Sequence, residues 1–175
     1  MGMSFFDGEM KPMLDVFLLE TSQLLEQLQS DIFDVVFSYI PLRNPKFHCE
    51  IYKEDPMILV TDWNNRKYQK GIRQEELLQE NYLMCNFALQ NVGQFIRNLF
   101  PKYHQFSLEI DDCSKIIPFL IGQQNYTFLP KDTAVSYIKE KKLREVELLD
   151  FQTPVINSYI IGKKSKKNLW ESMFT

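Results

Sequence analysis

Two adjacent hydroxyl side chains, Thr21 and Ser22, stand between an apolar run at 14–20 and leucines at helical spacing. Either hydroxyl can cap a helix by accepting a hydrogen bond from an otherwise unpaired backbone N–H. The free N–H groups of such a helix start can also bind a carboxylate or another anion, with the hydroxyls as extra donors. Position alone does not separate the capping role from the binding role.

Three further side chains, Tyr39, Asn86 and Asp112, stand where a ligand site can form. Asn86 follows a predicted strand, where its amide either binds a ligand or forms a turn. Asp112 is most simply a helix N-cap, although a binding role would select a cationic or hydroxyl group. Tyr39 either lines a cleft or packs in the core. Beside Asn86, Cys85 is expected to be a small buried hydrophobe.

The sequence lacks the patterns of metal sites, nucleophilic catalysis and phosphate binding. His48 and Cys49 are neighbours on a predicted strand, so their side chains point to opposite faces and cannot easily share a metal ion, and His104 is distant in sequence. No base is placed near Cys85 or Cys113 to activate a nucleophile. Neither G-x-G-x-x-G nor a P-loop occurs. The sequence therefore predicts no enzyme activity, no metal and no cofactor.

The composition is that of a packed globular protein, with 45% apolar and 14% aromatic residues among 175. A net charge of −3, from 20 basic and 23 acidic residues, argues against a dedicated nucleic-acid-binding module. No apolar run approaches the roughly 18–20 residues of a membrane span. The acidic start does not resemble a signal peptide, which predicts a cytoplasmic protein. The three cysteines are then expected to be reduced thiols.

Hydrophobic periodicity and turn residues predict two successive α/β groups, 14–62 and 82–150, and a final returning strand. The first strand, helix and second strand form a βαβ unit, which implies a parallel sheet. Two such groups predict two lobes, and the cleft between them is expected to bind a ligand. A turn at Glu54-Asp55-Pro56 separates the third and fourth strands, and 64–74 is expected to be a surface connection. Strands are predicted at 14–20, 34–40, 47–53, 57–63, 81–87, 106–110, 125–129, 144–149 and 155–162, and helices after Thr21 or Ser22 and at 75–80, 90–100, 116–120 and 133–143.

Three segments contain recognisable sequence motifs: LDVFLLETSQLLEQLQSDIFDVVFSYI (14–40), EIYKEDPMILVTDWNN (50–65) and YTFLPKDTAVSYIKEKKLREVELLDFQTPVINSYIIGKKSKK (126–167). The last contains a strand ending in Leu-Pro, a helix with Ala-Val and a basic end, a strand of the L-V-E-L kind and a returning strand followed by basic residues. In this order the segments resemble the effector-binding domain of LysR-type transcriptional regulators. The resemblance covers about 12–165; no single motif is diagnostic, but the ordered set is specific.

The resemblance implies an α/β fold with two Rossmann-like lobes and a ligand cleft, like that of type 2 periplasmic binding proteins. Lobe I would comprise 14–62 and 155–175, lobe II 63–154, and a poorly matching segment 1–13 would precede them. Because the family domain normally opens with a further strand and helix, lobe I is expected to lack its usual first strand and helix. Gln123-Gln124-Asn125 stands where family members often carry Gly-x-Gly, and Asn tolerates positive φ.

The resemblance also implies a ligand-sensing regulatory domain that transmits effector binding to DNA-binding domains this chain does not contain. The candidate effector-binding residues are then Thr21, Ser22, Tyr39, Asn86 and Asp112. They favour an organic anion or an amino-acid-like metabolite. Self-association is expected, whereas direct DNA binding by this chain and membrane contact are not. The alternative is a free-standing small-molecule binding protein of the same fold.

Overall fold

Short helices and strands alternate along residues 2–3, 21–87 and 90–172, which are the part of the chain described by a computed structural model. The α-helices are α1 (Thr21–Gln29), α2 (Gln74–Leu77), α3 (Gln90–Leu99), α4 (Lys131–Lys139) and α5 (Lys167–Glu171). Short 3₁₀ helices span Cys113–Lys115, Ile117–Phe119 and Lys164–Lys166. The strands are β1 (Gly2–Met3), β2 (Val35–Ser38), β3 (Phe47–Asp62), β4 (Asn81–Tyr82), β5 (Met84–Cys85), β6 (Glu109–Ile110), β7 (Asn125–Pro130), β8 (Leu143–Val146) and β9 (Val155–Lys163). Within this described part, no helix has both the length and the apolar character that a bilayer crossing requires.

The chain forms two units. Unit 1 comprises Met1–Glu54 and Asn157–Thr175, and unit 2 comprises Asp55–Ile156. The boundaries fall inside β3 and inside β9, so the chain passes from one unit to the other along two strands.

Unit 1 is built on antiparallel strands with a helix on each face. β2 pairs with β1 and with β9, and Val36 stands opposite Ile161. Successive residues of a strand face opposite sides of a sheet. Val36 and Ile161 therefore pack with the leucines of α1 on one side, whereas Val35 and Ile160 pack with Trp170 of α5 on the other.

The apolar C-terminal part of β3 is the central strand of unit 2. It pairs antiparallel with β7 on one side and β8 on the other, so Leu59 stands opposite both Phe128 and Val146. β4 extends this sheet parallel to β7. Leu59 faces a cluster that contains the apolar side of α3, whereas Ile58 and Val60 face a cluster that contains α4. Both faces of the strand are thus covered, which explains its uninterrupted apolar sequence.

This alternation of helices and strands confirms the predicted α/β class. The helices predicted after Thr21 and at 75–80, 90–100 and 133–143 correspond to α1, α2, α3 and α4. The predicted strand at 14–20 lies outside the described residues.

The predicted turn at Glu54-Asp55-Pro56 is wrong, because β3 runs through these residues as one strand of 16 residues. Proline fixes φ near −65°, which extended backbone tolerates, and removes only a backbone donor. Glu54 and Pro56 are exposed, where the missing donor leaves no buried group unpaired. Pairing on both sides of this point outweighs the local turn preference.

The surface connection predicted at 64–74 is wrong in part, since Asn65, Gly71 and Ile72 are buried. The polar sequence around them conceals this. Ile72 bridges to Leu148 and joins the core of unit 2.

Short strands replace longer predicted ones between residues 81 and 110. The predicted strand 81–87 is divided into β4 and β5, and the predicted strand 106–110 is reduced to β6. The predicted helix 116–120 is instead a single 3₁₀ helix, Ile117–Phe119, with Pro118 in its first turn, where a proline is tolerated. Within the described part, parallel pairing is confined to β4 with β7, β5 with β6 and the bridge at Ile72, so the expected parallel sheet is largely antiparallel.

Gly162 of β9 is a position where a side chain would displace a buried ring. A Cβ placed there would lie 2.6 Å from Cε2 of Trp170, whose side chain is 1% exposed. We predict that Gly162→Ala lowers the free energy of unfolding by about 1–3 kcal/mol, the usual cost of overpacking a core. Urea unfolding monitored by tryptophan fluorescence measures the change.

Gly93→Ala is the matched control for this prediction. Gly93 lies in α3, where an added Cβ meets nothing closer than the Phe87 carbonyl oxygen at 3.5 Å. Alanine favours a helix over glycine by up to about 1 kcal/mol, so this variant should be as stable as the parent chain or more so. Equal losses of stability in both variants would contradict the role assigned to Gly162.

Candidate functional site

The carboxyl ends of β5 and β6 bring Asn86 next to the Asp111-Asp112 pair in unit 2. β5 runs parallel to β6 with Cys85 opposite Ile110, and the Asn86 N–H donates to the Ile110 carbonyl at 2.8 Å. Parallel strands end at the same edge of a sheet, so the residues that follow them meet there. In α/β proteins, ligands commonly bind at such an edge.

Asn86 connects this edge to α3 through a chain of side-chain hydrogen bonds. Its amide Nδ2 donates to Asp111 Oδ1 at 3.1 Å, and its Oδ1 accepts from Arg97 Nη2 at 2.7 Å. The same Nη2 donates to Glu109 Oε2 at 3.0 Å. The Arg97 and Glu109 side chains are 46% and 42% exposed, so their ion pair contributes at most about 1 kcal/mol and can exchange with solvent or a ligand.

Asp112 caps the 3₁₀ helix Cys113–Lys115, as the N-cap prediction required. Its Oδ1 accepts from the Ser114 hydroxyl at 2.6 Å and from the Ser114 backbone N–H at 2.9 Å, while Lys115 Nζ lies 3.7 Å from Oδ2. The hydroxyl bond, the backbone bond and the nearby lysine charge together hold the pKa of Asp112 below its ordinary value. The carboxylate is therefore charged at neutral pH.

Cys85 and Cys113, which are sequence neighbours of Asn86 and Asp112, form a disulfide with their Cα atoms 5.7 Å apart. The expectation of reduced thiols is therefore wrong for this pair, whereas Cys49 is free. The expectation that Cys85 is buried is confirmed, since its side chain is 0% exposed. The two cysteines are 28 residues apart and meet through the pairing of β5 with β6, which their spacing could not reveal.

The other three predicted residues belong to unit 1. α1 begins at Thr21, in agreement with a helix start at the hydroxyl pair, but the side chains of Thr21 and Ser22 lie outside the described part. Tyr39 follows β2 and is 59% exposed, so the alternative in which it packs in the core is wrong. The structure thus brings Asn86 next to the turn that begins at Asp111 and Asp112, and places Tyr39 in the other unit.

Sequence reasoning missed three polar side chains of this edge, Arg97, Glu109 and Ser114, and considered Asp111 only as a helix cap. Arg97 occupies the polar side of a helix whose other side is apolar, and exposed basic residues of that kind are common. Only its distance to Asn86 distinguishes it. Ser114 could have been found, because a serine two residues after an aspartate is typical of a capping turn.

A separate cavity of about 680 Å³ lies in unit 1, and the predicted residues whose side chains are described, Tyr39, Asn86 and Asp112, are not among those that line it. Its lining comprises Gln29, Asn44, Lys46, Phe47, Lys163, Lys164 and Ser165. Three lysines line this cavity, of which Lys163 is paired with Asp31. Over the described ranges, no group of three or more His, Cys, Asp or Glu side chains is arranged to hold a metal ion.

A protein-family model described as the LysR substrate binding domain matches residues 9–169. This match extends over most of the chain and agrees with the resemblance found in the sequence. No curated protein matches the chain at a significant level.

Several solved structures share the fold. The OxyR2 regulatory domain from Vibrio vulnificus is 15% identical with a TM-score of 0.62, over 88% of this chain and 75% of that one. A Vibrio parahaemolyticus protein assigned as a transcriptional regulator is 13% identical with a TM-score of 0.67, over 90% and 75%. Full-length BenM, solved as its E226K mutant, is 15% identical with a TM-score of 0.61, over 89% of this chain and 53% of that one. The chain thus spans about half of some of the regulators that it matches, 50–53% in three of them.

The hydrogen bonds that Asp112 accepts predict a lowered titration midpoint for its carboxyl group, which can be measured. Because its pKa is lowered in the folded chain, the carboxylate stabilises the fold above its ordinary pKa, and this contribution is lost as the pH falls through the lowered value. Carboxyl NMR titration should therefore give a midpoint below about 3.9 for Asp112. Ser114→Ala should raise this midpoint towards the ordinary value.

Ser107→Ala is the control, because the Ser107 hydroxyl donates to Asn81 and not to Asp112. It should leave the Asp112 midpoint unchanged. A midpoint that is insensitive to Ser114→Ala would show that the Ser114 hydroxyl does not control the charge of Asp112.

Proposed function

The chain belongs to the family of LysR substrate-binding domains, and from this premise we propose that it binds a small effector and transmits the binding to DNA-binding domains outside this chain. The family makes it an effector-binding regulatory domain, which senses a ligand and does not transform it. Its α/β fold is of the type 2 periplasmic-binding-protein kind. What we propose beyond this is the site, the class of effector and the mode of transmission.

The hydrogen-bond chain from Asp111 through Asn86 to Arg97 is the observation that supports an effector site in unit 2. Arg97 offers a guanidinium to a carboxylate, and the Asp111 and Asp112 carboxylates offer acceptors to an ammonium or hydroxyl group. The amide of Asn86 can donate and accept at once. An amino-acid-like molecule or a small hydroxy acid carries the complementary groups.

The remaining candidates, Thr21, Ser22 and Tyr39, belong to unit 1 and stay proposed effector-binding residues. In this proposal unit 1 and unit 2 correspond to the two Rossmann-like lobes. The effector must bind one arrangement of the lobes better than the other, because this difference in affinity is the whole energy available for switching. A tenfold preference supplies about 1.4 kcal/mol.

A free-standing small-molecule binding protein is the alternative proposal. Both proposals require a ligand, but only a regulator requires that ligand binding alter how copies of the chain associate. Sedimentation of the chain with and without a bound compound separates them: a ligand-dependent change in association supports the regulator.

We predict that a panel of amino acids and small organic acids contains at least one compound that raises the melting temperature of the chain in a concentration-dependent way. Asn86→Ala should weaken that binding by about 1–2 kcal/mol, roughly 5- to 30-fold, since an amide that both donates and accepts is lost. Isothermal titration calorimetry measures the affinity.

The matched control is Asn98→Ala, which removes the same amide from α3 of the same unit. Asn98 is exposed and accepts from Gln94 at 2.9 Å, so both variants lose a surface hydrogen bond. The control should bind as the parent chain does. If no compound binds, or if both variants lose affinity equally, the proposed site is wrong. Catalytic turnover of a bound compound would show that the chain is an enzyme and would contradict the proposed sensor role.

Self-association is the second part of the proposal. LysR-type regulators pair these domains side by side, and unit 1 exposes large apolar side chains that such pairing would cover. Ile51 of β3 and Ile40, which follows β2, are each 51% exposed, whereas Tyr52, 52% exposed, points to the opposite side of β3 from Ile51.

We predict that the chain is a dimer at tens of micromolar and that Ile51→Lys shifts it towards the monomer, because a lysine must be desolvated in an apolar interface. Sedimentation velocity gives the distribution. Tyr103→Lys is the control, since Tyr103 of unit 2 is 87% exposed and outside the proposed surface. A parent chain that stays monomeric at this concentration would count against self-association.

This chain by itself is proposed not to bind an operator. Its net charge is −3, and its densest basic run, Lys163 to Lys167, includes side chains already paired with Asp31, Asp34 and Glu171. Operator binding needs several free phosphate contacts and an element in a DNA groove. As a domain of a transcription regulator, the chain is proposed to act in the cytoplasm.

A further inference from the structure

The disulfide between Cys85 and Cys113 joins the two segments that carry the candidate effector residues. Cys85 is the last residue of β5 and precedes Asn86, while Cys113 directly follows Asp112. β5 and β6 are only two residues long. The Met84 N–H to Leu108 carbonyl bond, 3.0 Å, and the Asn86 N–H to Ile110 carbonyl bond, 2.8 Å, connect the same segments. With so few backbone bonds, the covalent link is a major part of what holds this edge together.

We propose that Cys85 and Cys113 are a reversible thiol–disulfide pair, exchanged by a low-molecular-weight thiol–disulfide couple, that sets the geometry of the effector site. The proposal rests on the function proposed above in one respect, which is that the edge at Asn86 and Asp112 binds the effector. The oxidised chain then holds the two segments in register, and the reduced chain leaves them free to separate.

The two sulfur atoms differ in burial, and this difference determines which of them reacts first in thiol–disulfide exchange. Cys113 is partly exposed on a short 3₁₀ helix whose other residues, Ser114 and Lys115, are exposed, whereas Cys85 is completely buried. A small reagent therefore reaches Cys113 first. Exchange at a disulfide requires direct access of the attacking thiolate to a sulfur atom.

Oxidation proceeds in two balanced steps. The Cys113 thiolate attacks one sulfur of the small disulfide, which forms a mixed disulfide and releases one small thiolate. The Cys85 thiolate then attacks the Cys113 sulfur, which forms the internal disulfide and releases the second small thiolate. The two protein thiols lose two electrons and two protons in total; the small disulfide gains them and becomes two thiols. Reduction is the reverse sequence, and it begins with a small thiolate at Cys113.

The reduced state is compatible with the same fold. Cys85 belongs to an apolar cluster with Leu83, Ile116 and Leu129, and Cys113 packs against that cluster. A thiol in such surroundings behaves as a small apolar side chain. Once the leaving Cys85 thiolate has taken up a proton, opening the bond adds no buried charge. Its effect is then confined to the segments that the bond had joined. In reducing compartments, disulfides that do form are usually transient and regulatory.

The test is a redox titration of the full chain carrying Cys49→Ser, which removes the free third cysteine. Samples of the chain that begin fully reduced and samples that begin fully oxidised are equilibrated under nitrogen. The buffers differ in their ratio of reduced to oxidised glutathione. After acid quenching and alkylation, mass spectrometry gives the oxidised fraction of the Cys85–Cys113 pair. The expected result is one sigmoidal curve, the same from both starts. Thiols that stay reduced in oxidised glutathione, or a disulfide that persists in reduced glutathione, would overturn the proposal.

Hydrogen–deuterium exchange locates the effect of opening the bond. Amides of 84–87 and 109–115 should exchange roughly tenfold or more faster in the reduced chain, while β3 and β7 stay protected. Cys113→Ser should reproduce the reduced pattern in any buffer. Unchanged exchange, or faster exchange throughout unit 2, would overturn a role at the site. Neither measurement uses an effector, so a compound panel in which nothing binds defeats the proposed function and leaves the titration unaffected.

Discussion

The register that β3 gives to its neighbours is the constraint on which unit 2 depends. Leu59 stands between Phe128 and Val146, and the period of two sends Ile58 and Val60 to the opposite face. A slip of one residue would move each of these side chains into the wrong cluster, so burial on both faces specifies the register strongly. β3 positions β7 by pairing with it, and β7 positions β4 in the same way. A single residue then separates β4 from β5. The position of Asn86 therefore depends on the register of β3 through β7, β4 and β5.

Elements that depend on neighbouring residues in the sequence could be predicted, and elements that depend on distant pairing could not. The helix at 90–100 follows from apolar side chains at helical spacing, three of which, Val92, Ile96 and Leu99, are buried. The turn expected at Glu54-Asp55-Pro56 failed because strands from other parts of the chain extend β3 through it. The strand 81–87 was expected to be whole, but its two halves pair with different strands, β7 and β6.

The same distinction holds at the candidate site. The cap formed by Asp112 is local and was predicted from its position before an apolar turn. The bond between Cys85 and Cys113 and the contact between Arg97 and Asn86 depend on which strands meet, and no spacing in the sequence contains that information. The roles of Thr21, Ser22 and Tyr39 in effector binding stay predictions, since the structure places them in the other unit or leaves their side chains undescribed.

The hydrogen bonds of the Asn86 amide have a consequence for selectivity. Its Nδ2 donates one N–H to Asp111 and its Oδ1 accepts from Arg97 through one lone pair, and an amide carries a second N–H and a second lone pair. A molecule bound at Asn86 could therefore pair with the amide without displacing Asp111 or Arg97. A molecule that covered these groups without pairing would leave a polar group unsatisfied, at a cost of about 1–3 kcal/mol when the group is shielded from water. An effector at this edge would thus be selected by the hydrogen-bonding groups that it carries before it is selected by size.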